Sequence, residues 1–110
     1  PEECRARITE LLTRACLPDD SIVPKAHYAQ LIGAADSSVV TEAYRKGRVL
    51  LDAAIARILE RAGVPMTPRI VVAIVDGAAV TSISEGLDVR ETTGKLLDEA
   101  IEAYTKAAGC

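Results

Sequence analysis

Apolar residues recur along the chain at intervals of three and four positions, which is the period of amphipathic α-helices. The first such stretch predicts a helix over residues 2–17, which Pro18 ends. A shorter second helix is predicted over about residues 25–35. Residues 36–38 offer side chains that can cap a long third helix, which we expect to end near Gly63.

The fourth predicted helix, over about residues 68–84, is apolar on nearly every side although Asp76 and Gly77 lie in its middle. Thr67 can cap this helix, and Pro68 suits its first position. One face carries Ile70, Ala73, Ile74, Gly77 and Thr81, and another carries Val72, Val75, Ala79 and Ile83. Because a helix that is apolar all round must be buried all round, we expect the last helix or a partner molecule to cover the side that the first three helices leave open.

The fifth predicted helix begins at a capping box made by Asp88 and by Glu91 three residues later. Its apolar stripe consists of Val89, Leu96, Leu97, Ala100, Ile101, Tyr104 and Ala108. No stretch shows the alternation that is typical of strands. We therefore predict an all-α fold of five helices, an orthogonal bundle that forms a single domain over residues 1–110, because the chain is too short for two independent cores.

The amino-acid composition limits how such a core can be filled. Apolar residues make up 49% of the chain, but aromatic residues only 3%, with no Phe and no Trp. A core of Leu, Ile, Val and many small Ala side chains fills gaps poorly, so we expect an internal and mostly apolar cavity. The net charge is -3, and the basic cluster at residues 45–48 points its charges in different directions around a helix. We therefore do not expect these residues to bind nucleic acid.

Sequence signatures of catalysis and metal binding are weak. The chain has one histidine, His27, three irregularly spaced cysteines without a CxxC pair, and no glycine motif for phosphate. We expect no metal, no cofactor and no enzymatic activity; a cysteine that meets His27 in space is the enzymatic alternative. The odd number of cysteines and the lack of a signal peptide favour reduced thiols in a cytoplasmic protein.

Three stretches of the chain carry a likeness to a known family: VVTEAYRKGRVLLDAAIARILERAGV, RIVVAIVDGAAVTSISEG and LDVRET. Together they resemble the C-terminal, ligand-binding and dimerisation domain of TetR-family transcriptional regulators. The second stretch looks like the family's next-to-last helix, although Ala78 and Ala79 stand where bulkier residues are common. Family members begin with a helix-turn-helix domain that this chain lacks. The chain begins with Pro1 instead of an initiator Met, and a predicted helix follows directly. We therefore expect the chain to be part of a longer protein.

The resemblance implies a homodimer in which the last two helices of each subunit pair as a four-helix bundle. The fourth predicted helix, apolar on both faces, independently favours a partner there. The candidate interface residues are Val72, Val75, Asp76, Ala79, Ile83, Leu97, Ile101 and Tyr104. We expect a charge introduced at Ala79 to separate the subunits. Asp76 would pair with an arginine such as Arg48 or Arg69, form a hydrogen bond across the helix interface, or lie at the solvent rim.

The resemblance also implies an effector site between the first four predicted helices. The candidate ligand-binding residues are His27, Tyr28, Tyr44, Arg48, Leu51 and Thr81. We expect a small hydrophobic effector with an anionic or carbonyl end for Arg48. Each polar candidate also fits a boundary residue with an apolar stem and a solvated tip.

Two functions follow from these patterns. The first is the effector-sensing and dimerisation domain of a TetR-like regulator, a repressor that contacts DNA only through its absent N-terminal domain and that has no membrane partner. The second is a ligand-free helical module that binds another protein with the same apolar surface. A helix-turn-helix encoded immediately before Pro1 would distinguish them.

Overall fold

The computed structural model describes residues 2–17 and 38–107 of the chain. Within these ranges it contains four helices and no strand: α1 (Glu2–Cys16), α2 (Ser38–Ala62), α3 (Pro68–Glu85) and α4 (Val89–Ala107). The all-α class is thereby confirmed. These helices correspond to the first, third, fourth and fifth predicted ones. The predicted helix over residues 25–35 lies outside the described residues, so the total of five helices stays a prediction.

Helix α3 begins and ends at residues that suit those positions. Thr67 is extended, with φ -98° and ψ 153°, and its Oγ1 accepts a hydrogen bond from the Ile70 N–H at 3.3 Å. Pro68 follows in the first turn, where its missing N–H costs nothing. At the other end Gly86 adopts a left-handed φ of 70° and donates its N–H to the Ser82 carbonyl. The chain can therefore turn directly from α3 into α4.

Helix α4 begins at the predicted capping residue. The Asp88 Oδ1 accepts a hydrogen bond from the Glu91 N–H at 2.8 Å. The Glu91 carboxylate pairs with Lys95, one turn further along, at 3.1 Å. Of the two reciprocal bonds of a capping box, the described residues therefore show the one that Asp88 accepts.

The core lies between the four helices and is aliphatic. Its most deeply buried side chains are Leu12 of α1, Ile55 of α2, Val71 of α3, and Leu97 and Ile101 of α4. Burial of one such side chain stabilises the fold by roughly 1.5–3 kcal/mol. Each helix thus contributes at least one anchor to the same cluster.

Polar contacts at the edge of the core hold α1 alongside α4. The Arg5 Nε donates to the Asp98 Oδ1 at 3.0 Å, and the Thr9 hydroxyl reaches the same oxygen at 3.5 Å. At the other end of α1, the Arg90 guanidinium donates to the Leu17 carbonyl. These contacts fix the two helices in register along most of the length of α1.

Helix α3 packs on the core with one side and exposes the other. The side that it buries consists of Val71, Val72, Val75, Ala78, Ala79 and Ser82. Five residues predicted for the dimer interface are therefore core residues of the single subunit: Val72, Val75, Ala79, Leu97 and Ile101. Side chains enclosed in this way are not exposed to a partner in the single subunit, and the dimer itself stays a prediction. A charge at Ala79, which is 0% exposed, would disrupt the subunit core rather than separate two subunits.

Helix α2 is buried only along its C-terminal half. Ile55 and Leu59 belong to the core, whereas no described side chain of residues 38–50 is buried. Four small or apolar positions at helical spacing along this helix are exposed: Ala43, Tyr44, Gly47 and Ala54. The first half of α2 therefore extends beyond the core that anchors the second half.

Candidate functional site

Three polar side chains stand one helical turn apart along α2. The Arg48 Nε donates to the Asp52 Oδ1 at 3.0 Å, and the Arg48 Nη1 donates to the Tyr44 hydroxyl at 3.4 Å. Residues four apart on a helix lie on the same side, which is why the three side chains meet. The guanidinium is therefore held between a phenol and a carboxylate.

Opposing effects act on the charge of Arg48. Burial lowers its pKa, but the hydrogen bonds from its guanidinium to Asp52 and Tyr44 outweigh that effect, so the pKa is raised above the ordinary value. Arg48 is consequently a fixed positive charge, which can donate hydrogen bonds but cannot act as a base.

The end of α1 brings a thiol close to these groups. The pKa of Cys16 is raised to about 11, first by burial and then by the negative charge of Asp76, with Asp52 adding to the effect and Arg48 opposing it. The thiol therefore stays protonated near neutral pH and is a poor nucleophile. These five residues, Cys16, Tyr44, Arg48, Asp52 and Asp76, form what we call the polar cluster.

The polar cluster joins three helices. Cys16 comes from α1, Asp76 from α3 and the other members from α2. Such a cluster offers hydrogen-bond donors and acceptors and a fixed charge beside an apolar core. Because its thiol is protonated, it suits recognition of a polar group better than covalent chemistry.

The structure brings together some of the predicted ligand-binding residues. Tyr44 and Arg48 form a hydrogen bond. Leu51, on the same helix, is partly buried and packs against the core. Thr81 is exposed on α3. It follows Asp76 by five residues, which turns it about 140° around the helix and away from the polar cluster. His27 and Tyr28 lie outside the described residues.

Two members of the polar cluster, Asp52 and Cys16, are not among the site residues predicted from the sequence. Asp52 follows Arg48 by four positions, a spacing that predicts an ion pair on a helix and could have identified it. Cys16 lies near the end of the first predicted helix, where it fits the apolar spacing of that helix. Its proximity to Asp76 and Asp52 depends on how α1, α2 and α3 pack, which no local pattern encodes.

A second candidate site is the solvent-exposed side of α3. Between Arg69 and Glu85, every exposed residue of this helix is small or apolar and carries no charge. We call this the outer face of α3; it consists of Ala73, Gly77, Val80, Thr81 and Ser84. The next turn and α4 add the exposed side chains of Leu87 and Leu96. Three remaining interface candidates, Asp76, Ile83 and Tyr104, are half-buried.

Gly77 lies in the middle of the outer face. A Cβ atom built on Gly77 would meet no atom of another described residue within 4 Å. The described residues therefore leave open space above the centre of α3, and a second chain could approach the backbone closely at this point.

The described residues also bear on metal binding and on membrane insertion. No group of three or more His, Cys, Asp or Glu side chains in residues 2–17 and 38–107 is arranged to hold a metal ion. None of the helices α1 to α4 combines the length and the apolar character that crossing a bilayer requires.

No protein family matches the chain, and neither a curated protein nor a solved structure is detectably similar to it. Its function must therefore be inferred from its own residues and their arrangement.

Proposed function

We propose that the chain is the effector-sensing and dimerisation domain of a cytoplasmic, TetR-like transcriptional regulator, a repressor released by a small hydrophobic ligand. The proposal rests on one observation: the outer face of α3 is exposed and carries no charge. The all-α fold and the Asp-Gly sequence within α3 fit the resemblance noted in the sequence.

The outer face of α3 differs from the exposed side of a neighbouring helix. The exposed positions of α4 include Glu91, Lys95, Glu99 and Lys106, as expected for a helix that faces water. The outer face of α3 has no charge, and its largest apolar residue, Val80, is 47% exposed. Charge is depleted in the buried centre of protein interfaces, so this face suits contact with another chain.

A second copy of the same chain is the partner that we propose. In a two-fold dimer the same patch contacts itself, so a patch without charge brings no like charges together. The small residues Ala73 and Gly77 allow the two α3 helices to approach closely. The interface that we propose thus uses the same helix as the sequence prediction, but its opposite side.

The polar cluster supplies the polar end of the proposed effector site. Arg48 and Tyr44 can orient a ligand whose apolar part lies against the core near Leu51. Because the cluster joins α1, α2 and α3, a ligand there can favour one arrangement of the helices over another. A coupling free energy of ~1–3 kcal/mol would suffice to change affinity for DNA.

Sedimentation of matched variants tests the dimer. Val80→Glu places a charge on the outer face, where the single subunit tolerates it because Val80 is half exposed. In the dimer that charge would be buried without a partner, so we expect the dissociation constant to rise more than ~100-fold. Val49→Glu is the control, since Val49 is an exposed valine of α2. A wild-type chain that sediments as a monomer at micromolar concentration would contradict the proposal.

A pair of glycine variants separates dimerisation from folding. Gly77→Leu and Gly47→Leu both fill open space in a helix, and both should stabilise the subunit slightly through helix propensity. Only Gly77→Leu should weaken the dimer, because only Gly77 lies on the outer face. Equal sedimentation of the two variants would exclude close packing at Gly77.

The same uncharged face also supports the second function, a helical module that binds a different protein. A broad screen of apolar compounds by thermal shift distinguishes the two. The regulator is expected to gain stability with at least one compound and to lose that gain in Arg48→Ala. A stable monomer that no compound stabilises would favour the interaction module.

A further inference from the structure

A groove of ≈ 420 Å³ opens at one end of the subunit, where the start of α1, the end of α2 and the end of α4 meet. We call it the end groove. Its apolar lining includes Ile8, Val64 and Ile101, of which Val64 and Ile101 are buried and Ile8 packs against the core. The volume is within the usual range of small-molecule sites, about 300–1,000 Å³.

The polar rim of the end groove carries two cations, Arg5 and Lys106, and the carboxylate of Glu102, with which both cations pair. The Lys106 Nζ lies 3.1 Å from the Glu102 Oε1, and the Arg5 Nη2 lies 3.9 Å from the Glu102 Oε2. All three side chains line the groove. In the end groove, both cations thus already contact a carboxylate.

The pair between Lys106 and Glu102 is easily exchanged. The Lys106 side chain is 76% exposed, and exposed ion pairs contribute little to stability. Arg5 is positioned independently, because its Nε bonds to Asp98 at 3.0 Å. A ligand carboxylate can therefore replace Glu102 beside Lys106, while the hydrogen bond between Arg5 and Asp98 continues to hold α1 against α4.

We propose that the end groove binds a small amphipathic carboxylic acid. Its apolar part lies over Ile8, Val64 and Ile101, and its carboxylate lies between Arg5 and Lys106. The end groove is separate from the polar cluster, since Cys4 lines the groove and Cys16 belongs to the cluster. These residues are twelve positions apart on α1, which corresponds to about 18 Å.

Titration calorimetry with octanoate tests the site. Octanol has the same chain length without the charge, and octylamine carries the opposite charge. We expect octanoate to bind and the other two compounds to bind at least about tenfold more weakly, because charge-assisted hydrogen bonds to Arg5 and Lys106 recognise the carboxylate. No heat of binding with millimolar octanoate, or equal binding of all three compounds, would overturn the proposal.

Two lysine variants locate the bound carboxylate. Lys106→Gln removes one cation of the rim. Lys95→Gln is the matched control, because the Lys95 side chain is as exposed as that of Lys106 and pairs with Glu91 on the same helix. Octanoate affinity should fall about tenfold in Lys106→Gln and stay unchanged in Lys95→Gln. Ala62→Trp should block the groove and abolish binding. Equal effects of the two lysine variants, or full binding to Ala62→Trp, would contradict the site, whether or not the chain dimerises through α3.

Discussion

Thr93 offers a direct test of how the subunit is packed. Its side chain in α4 is 0% exposed, and its Oγ1 has no hydrogen-bond partner among the described residues. A buried hydroxyl without a partner costs ~1–3 kcal/mol. Thr93→Val keeps the branched shape and replaces the hydroxyl with a methyl group, and the two residues have similar helix propensities. We expect the free energy of unfolding to rise by ~1–2 kcal/mol.

Thermal unfolding followed by circular dichroism measures this change. A domain of this size gains roughly 4–8 °C in Tm per kcal/mol, so the expected rise is readily detected. All samples need the same protein concentration, because dimerisation would make Tm depend on concentration.

Thr13→Val is the matched control for Thr93→Val. Thr13 is also buried, but its hydroxyl donates to the Thr9 carbonyl at 2.7 Å. This variant should lose ~1 kcal/mol because it loses a hydrogen bond. A stability loss in Thr93→Val, or shifts of equal sign and size in both variants, would refute the assignment of an unpaired hydroxyl.

Two further predictions concern Cys16 and Thr67. At mildly alkaline pH, Cys16 should be alkylated more slowly than the exposed Cys4, as measured by mass spectrometry; equal rates would contradict its burial. Because the folded pKa of Cys16, about 11, exceeds its ordinary value of 9.0, its protonated form stabilises the fold fully below pH 9.0, and this contribution is lost as pH rises towards 11. Cys16→Ala should remove this part of the pH dependence in denaturant unfolding. Thr67→Ala should cost ~1 kcal/mol by the same measurement, and Thr67→Ser should cost much less, because only alanine lacks the oxygen that caps α3.

Helix type and helix ends could be predicted from the sequence because they depend on neighbouring residues. The predicted cap at Thr67 and the predicted start at Pro68 are confirmed, and α2 ends before Gly63, whose φ is 68°. The contact between Tyr44 and Arg48 also follows from local spacing. Such features need no knowledge of the tertiary fold.

The rotation of α3 about its axis could not be predicted from its sequence. Both sides of this helix are apolar, so its pattern contains no polar side to indicate which one faces water. From the sequence, Val75 and Gly77 are equally good candidates for the core. The packing of the other helices buries Val75 and leaves Gly77 exposed. For the same reason, the interface residues predicted on this helix include Val72, Val75 and Ala79, which the subunit buries, whereas the interface that we propose lies on the outer face. Burial in a subunit and burial between subunits leave the same pattern in a sequence.

The uneven burial of α2 has a consequence for motion. Its second half is fixed by tertiary packing at Ile55, whereas no described side chain of residues 38–50 is buried, and Arg48 pairs with Asp52 on the same helix. A free helix of roughly thirteen residues is only marginally stable in water. We therefore expect the first turns of α2 to open more readily than the half that carries Ile55, while the core stays intact. Because Tyr44 and Arg48 lie in this half, a bound molecule can reshape its recognition groups at little cost to the rest of the fold.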